Sequence, residues 1–189
     1  MKRSLVLSCG AVMSVLSFYA CSSSDDSMVT PLTRSDAVSE KIVFQDDFNQ
    51  TDSIPDKTKW GLCKKGSPAW SKYLSESYDQ AYVHDGKLVL IAEKVNGVYK
   101  TGGVQSLGKA EFQYGKIEIC ARFTKTAKGG WPAIWMMPAK PVYSGWPACG
   151  EIDIMEQLNH DGIVYQTIHS HYKNDLGFTK PVPTKTVPY

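Results

Sequence analysis

The feature that most constrains the fold of this chain is the run GEIDIME, which occupies residues 150–156. It places Glu151, Asp153 and Glu156 within six residues, separated by apolar side chains. Crowded carboxylates disfavour one another's charged form, so this density is costly unless the acids share a task. Alternate residues of a β-strand point to one face, so Glu151 and Asp153 should lie side by side. The run therefore predicts a strand with an acidic face.

Glu156 has the wrong parity for that face if the strand is regular. One extra residue bulged out at Ile154-Met155 shifts the parity by one and brings Glu156 beside the other two acids. We therefore expect a β-bulge there, with Ile152 and Ile154 in a buried apolar row on the opposite face. Three acids in a row are typical of acid/base and nucleophilic chemistry on a sugar bond.

Length and composition suit one globular domain behind a leader. The chain has 189 residues, of which 42% are hydrophobic and 21% are charged, as in ordinary globular proteins. A net charge of +2 is too small to indicate a nucleic-acid partner, and we expect a monomer. The cysteines Cys63, Cys120 and Cys149 are odd in number and match no zinc spacing, so we expect free thiols or one incidental bridge.

The first twenty residues predict an export signal. Residues 1–20 begin with basic side chains and continue with an apolar stretch that is too short to cross a bilayer as a helix. The stretch ends at Ala20-Cys21, which resembles a bacterial lipoprotein cleavage site with Cys21 as the lipidated residue. Residues 21–40 are polar and predict a tether. We expect an exported chain anchored by lipid to the bacterial outer membrane or cell surface; the alternative is cleavage nearby and a secreted or periplasmic protein.

The rest of the chain contains the signals of short strands and turns. Strand-forming residues flank Asp85-Gly86 and Asn96-Gly97, which are typical hairpin turns. Apolar and polar residues alternate cleanly along residues 114–123, and another strand is expected at 164–172. Residues 180–189 contain three prolines and are expected to form a loop. No long helical pattern occurs, so the sequence predicts an all-β sandwich or barrel.

Two tryptophans and one histidine are candidates for contacts with a sugar. Trp131 and Trp135 fall on one face of an expected strand, and flat aromatic rings stack well on pyranose C–H bonds; core packing is the alternative. His169 and His171 also share parity, and two histidines with carboxylates can bind a metal. Their spacing is not diagnostic, so we predict no metal and expect His169 to hydrogen-bond substrate or a carboxylate. Trp146 is assigned neither to the cleft nor to the surface.

Several motifs together resemble glycoside hydrolase family 16. They are GGWPAIWMMP and GWPACGEIDIME, preceded by YGKIEICARF and followed by QTIHSHY. The likeness is to bacterial endo-β-1,3-glucanases (laminarinases) and β-1,3-1,4-glucanases, and it covers about residues 42–177. It implies an all-β jelly-roll sandwich of two curved antiparallel sheets, with a substrate cleft across the concave sheet.

The resemblance also implies a role for each acid. Glu151 matches the family's nucleophile, Glu156 its general acid/base and Asp153 the residue that assists them, with retention of anomeric configuration. A retaining site needs carboxyl groups about 5–5.5 Å apart, whereas a flat strand would hold Cα atoms of this spacing roughly 13 Å apart. Long Glu side chains on an inward-curving, bulged strand can close that gap.

The function implied is hydrolysis of internal bonds in β-1,3- or mixed-linkage β-glucans, with the polysaccharide as partner. No cofactor is required; a structural Ca²⁺ occurs in some relatives, and nothing in this sequence supports one. Two alternatives are a non-catalytic glycan-binding lipoprotein and a hydrolase of algal galactans. The family domain normally continues for several strands after QTIHSHY, so residues 41–189 are expected to be the N-terminal portion of a domain that is incomplete at its C-terminus.

Overall fold

The described residues of the computed structural model are 3–6 (backbone only), 41–124, 127–143, 145–177 and 184–188. The predicted tether and the predicted lipidation residue Cys21 lie outside them, as does the predicted leader apart from its short strand. Within the described part of the chain, no helix is both long and apolar enough to cross a membrane.

The regular secondary structure of the described chain is almost entirely β-strand. In chain order its strands are β1 (Arg3–Val6), β2 (Gly61–Leu62), β3 (Ala81–His84), β4 (Lys87–Val95), β5 (Val98–Thr101), β6 (Val104–Gln105), β7 (Ala133–Met136), β8 (Glu151–Glu156), β9 (Ile163–His169) and β10 (Thr184–Pro188). A short π-helix, His171–Asp175, follows β9.

The strands form two four-stranded antiparallel sheets and a small ribbon. In the first sheet β4 pairs with β1, β3 and β5. The second sheet has the order β10-β9-β8-β7 and carries the predicted acids. β2 and β6 pair with each other. The predicted all-β class is therefore confirmed. The strand expected at residues 164–172 is confirmed as far as His169, whereas His171 and Tyr172 lie in the π-helix.

Both predicted hairpin turns are confirmed. Asp85-Gly86 joins β3 to β4 with φ angles of 51° and 66°, and Asn96-Gly97 joins β4 to β5 with φ angles of 50° and 84°. Positive φ at both central residues is the type I′ geometry, whose twist matches that of the flanking strands. These turns position β4 at the centre of the described core, whose buried apolar residues are Leu74, Ala81, Val83, Leu88, Val89 and Ile91.

The strand predicted at residues 114–123 is wrong. Lys116 and Glu118 do lie on the same side of the segment, as predicted, since Lys116 Nζ is 2.9 Å from Glu118 Oε1. However, no described strand forms a ladder with this segment, and Ile117 and Ile119 are exposed. Alternation makes a segment suitable for a strand, but only hydrogen bonds to a neighbouring strand create one.

The loop predicted at residues 180–189 is wrong over residues 184–188, and residues 180–183 and 189 lie outside the described part of the chain. Thr184–Pro188 forms β10, which pairs antiparallel with β9 from Thr184 opposite Thr167 to Pro188 opposite Ile163. Proline argues against a central strand because it lacks an N–H donor, but it is compatible with an edge strand. Among the described strands β10 lies at the edge of its sheet, where Pro188 is tolerated.

The buried apolar row predicted behind the acids is wrong at Ile152. Ile152 is 49% exposed, and its cross-strand neighbour Ile168 on β9 is 55% exposed. Ile154 is only half-buried. The alternation of β8 is correct, but burial also needs a second layer, and the described residues leave this face partly in solvent.

Candidate active site

Strand β8 carries all three predicted acids and contains the predicted bulge. Asp153 pairs with Trp135 of β7, whereas Met155 pairs with the adjacent β7 residue Ile134, so Ile154 has no partner on β7. The register between β8 and β9 shifts in the same stretch. One extra residue on β8 reverses the parity of everything after it. The bulge is therefore confirmed, and it turns the last acid toward the other two.

Strands β7 and β9 complete the face on which the acids lie. Residues opposite each other in a ladder point to the same face. Trp135 of β7 lies opposite Asp153, and His169 of β9 lies opposite Glu151. The acid face, as we call this surface below, comprises Glu151, Asp153, Glu156, Trp131, Trp135 and His169.

Each of the two glutamates accepts a hydrogen bond from an indole. Trp131 Nε1 donates to Glu156 Oε1 at 2.7 Å, and Trp146 Nε1 donates to Glu151 Oε2. Both tryptophan side chains are exposed. Hydrogen bonds to a charged acceptor are stronger than neutral ones, so each indole restricts the orientation of its carboxylate while leaving much of its ring accessible.

His169 connects two of these groups. Its Nε2 lies 3.2 Å from Asp153 Oδ2, and its ring centroid lies 5.4 Å from that of Trp146 at an interplanar angle of 51°. The structure therefore places His169 against a carboxylate and beneath a tryptophan that holds Glu151. This is one of the two kinds of contact expected for His169, and it makes His169 part of the support for the acids.

Asp153 is the buried member of the three acids. Its pKa is raised to about 7, first by burial, then by the charges of Glu156 and Glu151 and by a hydrogen bond with Glu151. No described N–H or O–H group donates a well-aligned hydrogen bond to either oxygen of Asp153, so its charge is poorly compensated. Near neutral pH, Asp153 therefore carries a proton for a substantial fraction of the time and can donate it toward Glu151.

Trp131 precedes β7 and is held by hydrogen bonds between neighbouring segments. Asn159, which follows β8, donates from its backbone N to Gly130 O at 2.9 Å. Its side-chain Oδ1 accepts from Gly129 N at 2.8 Å. These two bonds tie the turn before Trp131 to the segment that follows β8, which helps to place the indole beside Glu156.

Two aromatic residues at the site were not assigned from the sequence. Trp146 lies in the loop before β8, and its position five residues before Glu151 was the available signal. Trp70 lies far from the acids in the chain, yet its ring centroid is 5.1 Å from that of Trp135. No local pattern predicts that contact, because it depends on how a distant loop folds back onto the second sheet.

His171 does not join the acid face, although it shares parity with His169. Its Nδ1 lies 2.7 Å from Asp175 Oδ2 within the π-helix, because β9 ends at His169. Among the described residues no group of three or more His, Cys, Asp or Glu could hold a metal ion. Burial raises the pKa of the Cys63 thiol to about 11, which keeps this cysteine protonated and unreactive at neutral pH.

Comparisons with known proteins agree with this geometry. The family model described as "XgeA-like, catalytic GH16 domain" matches residues 75–186. The keratan-sulfate endo-1,4-beta-galactosidase of Sphingobacterium multivorum is 42% identical over 136 residues, which are 69% of this chain and 32% of that protein. The beta-glucanase of Rhodothermus marinus is 33% identical over 147 residues, which are 72% of this chain and 50% of that protein. The chain thus spans between 32% and 50% of the length of these relatives.

A solved structure gives the same result for the fold. The laminarinase catalytic domain of Thermotoga maritima, in complex with cetyltrimethylammonium bromide, is 29% identical, with a TM-score of 0.57. The match covers 79% of this chain and 62% of that chain. The predicted jelly-roll fold class is confirmed.

Proposed function

This chain belongs to glycoside hydrolase family 16, and we propose that it hydrolyses internal bonds of β-1,3- or mixed-linkage β-glucans with retention of configuration. The observation that carries the proposal is the bulge in β8, which places Glu151, Asp153 and Glu156 on one face. The relatives named for β-glucan and laminarin cleavage support the choice of substrate. A complete set of three acids is not expected of a non-catalytic glycan-binding protein.

In the first step, Glu151 attacks the anomeric carbon and forms a covalent glycosyl ester. The bond from that carbon to the leaving sugar breaks, and Glu156 gives its proton to the departing oxygen. The indole of Trp146 on Glu151 and the indole of Trp131 on Glu156 hold the two carboxyl groups in separate orientations.

In the second step, Glu156 removes a proton from water as the water attacks the same carbon. The ester bond breaks, Glu151 leaves as a carboxylate, and Glu156 is protonated again. Asp153, with a pKa raised to about 7, donates its proton toward Glu151 when that carboxylate carries charge. Asp153 thereby assists the nucleophile without contacting the sugar.

The decisive experiment replaces the proposed nucleophile. We expect Glu151→Gln in the full-length protein to lower the release of reducing ends from laminarin or barley β-glucan by at least about a thousandfold. We expect it to keep glucan binding in affinity electrophoresis, because the amide has the same shape. Glu111→Gln, at an exposed carboxylate, is the matched control and should act as wild type. Near-normal turnover by Glu151→Gln would reject the nucleophile assignment.

A substrate panel tests the specificity. It contains laminarin, barley β-glucan, agarose and keratan sulfate, the last because one relative is named for cleaving keratan sulfate. We expect release of reducing ends from the first two, with an early fall in viscosity that marks internal cleavage. Activity on agarose or keratan sulfate alone would replace glucan by a galactan as the substrate.

We further propose that the mature protein is a monomer, lipid-anchored at Cys21 and exported to the outer membrane or cell surface. The support is the export-signal pattern of residues 1–20 and the following polar tether. We expect the protein to incorporate labelled palmitate and the Cys21→Ser variant to incorporate none. Labelling that persists in that variant would overturn the anchor, and a dimer in analytical ultracentrifugation would overturn the monomer.

A further inference from the structure

An exposed tryptophan from a distant loop extends the acid face. Trp70 is 51% exposed, and its ring meets that of Trp135 at 5.1 Å with an interplanar angle of 73°. Trp135 itself lies opposite Asp153 in the β7–β8 ladder. A row of indoles thus continues from the acids outward to a residue that belongs to a different part of the chain.

The loop that carries Trp70 is held firmly. The backbone N–H groups of Ser71 and Lys72 both donate to Pro68 O at 3.0 Å, and Gly66 N donates to Ser71 O at 3.3 Å. Ser71 is buried although its neighbour Trp70 is not. The backbone on either side of the exposed indole is therefore pinned, and Trp70 has little freedom to fold inward.

The base of this loop is braced by one carboxylate. Glu76 Oε1 accepts from Lys65 N at 2.9 Å, and Glu76 Oε2 lies 3.0 Å from Lys64 Nζ. These contacts close the loop, and a bridge between buried Leu74 and Thr101 of β5 anchors it to the first sheet. A large apolar ring that is held in solvent loses the stabilisation that burial would provide. An exposed aromatic ring beside the acid face is therefore a candidate site for a ligand.

We propose that Trp70 forms a further sugar-binding subsite, which stacks on a pyranose ring of the β-glucan away from the bond that is cleaved. The inference rests on the proposed function and adds to it that the affinity for a glucan depends on the length of the glucan chain. Flat aromatic faces bind pyranose C–H surfaces and exclude water from them. Because Trp70 contacts Trp135 but none of the three acids, it contributes to the binding of longer chains and leaves the chemistry of short ones unchanged.

Binding without turnover tests this subsite. Glucan oligosaccharides of increasing length are titrated calorimetrically into the Glu151→Gln protein, with and without Trp70→Ala. We expect Trp70→Ala to weaken binding of the longer oligosaccharides about three- to tenfold and to leave the shortest ligand that binds unaffected. Trp70→Phe, which keeps an aromatic face, should restore part of the loss and provides a second reading if the alanine variant folds poorly.

The matched control is Tyr114→Ala. Tyr114 is 87% exposed and belongs neither to the loop that carries Trp70 nor to the acid face, so its removal should change no affinity. If Trp70→Ala weakened the binding of oligosaccharides of every length equally, Trp70 would merely support Trp135. If it weakened the binding of none, Trp70 would touch no sugar. Either result overturns the subsite. Failure of the Glu151→Gln protein to bind any β-glucan would instead reject the proposed function.

Discussion

At the scale of single residues, surroundings decide what Asp153 does. The three acids of β8 are chemically similar, yet burial and two neighbouring charges raise the pKa of Asp153 to about 7. Its neighbours Glu151 and Glu156 each accept an indole N–H, whereas no described donor is well aligned on Asp153. Asp153 is thus the acid best suited to hold a proton at neutral pH.

This raised pKa predicts a pH-dependent stability. Between about pH 4 and pH 7 the folded protein keeps a proton on Asp153 that the unfolded chain has lost, so stability from this group falls as pH rises and levels off above pH 7. Asp153→Asn removes the effect. We expect the variant to gain stability relative to wild type between pH 5 and pH 8, by at most about 3 kcal/mol, because only the part of the titration between pH 5 and the pKa of about 7 falls in this interval.

Urea unfolding of both proteins at pH 5 and pH 8 measures this difference. Titrating groups that do not interact with Asp153 cancel because they are common to the two proteins. An equal change in unfolding free energy for wild type and Asp153→Asn would show that Asp153 titrates no differently in the folded and unfolded states.

At the scale of the element, the bulge decides which face Glu156 occupies. If Ile154 were deleted, one residue instead of two would separate Asp153 from Glu156. In a regular strand the two acids would then still point to the same face. If one residue were instead inserted between them and the bulge were kept, Glu156 would point to the opposite face, because side chains alternate along a strand. The number of residues between these two acids therefore matters more than their identity.

A deletion and an insertion at the same site form a matched pair. We expect deletion of Ile154 to leave Glu156 on the acid face but displaced, with activity on β-glucan reduced by about a hundredfold or less. We expect insertion of one alanine after Ile154 to turn Glu156 to the opposite face and lower activity to that of Glu156→Gln. Initial rates on soluble glucan, with thermal unfolding to show that both variants fold, provide the comparison; equal activity of the two variants would contradict the parity argument.

At the scale of the whole molecule, the second sheet is asymmetric. One face carries the acids, their indole partners and buried Thr167. On the opposite face, the side chains of Ile152 and its cross-strand neighbour Ile168 are about half exposed to solvent. The described core lies instead around β3 and β4, so the two sheets differ in how much of their stability comes from apolar burial.

This asymmetry predicts how the chain of 189 residues responds to substitution. We expect the double change Ile152→Thr and Ile168→Thr to alter the free energy of unfolding by less than about 1 kcal/mol, because threonine also favours strands and neither isoleucine is buried. Val83→Thr, which places a hydroxyl in the core, is the control and should cost about 1–3 kcal/mol. A cost of several kcal/mol for the isoleucine pair, measured by urea unfolding, would mean that this face is covered.

Much of the site and of the fold class was predictable because the signals were local. The parity of GEIDIME required a bulge, and the structure contains it at Ile154. The Asp85-Gly86 and Asn96-Gly97 turns follow from residues that tolerate positive φ. Trp135 follows from the alternation of a short strand, and Trp131 lies two residues before that strand. In each case the physical cause acts between residues that are close in the chain.

The sequence by itself determined the strand of three acids, its bulge and the two hairpins, because backbone geometry and side-chain alternation act over a few residues. Only the tertiary structure decided that residues 114–123 join no ladder of the described strands, that Ile152 is exposed and that Pro188 lies at the edge of the second sheet as described. It also decided that Trp70 reaches Trp135. These features depend on which distant segments meet, and the free energy of such contacts is determined by packing and hydrogen bonding between elements that no local pattern encodes.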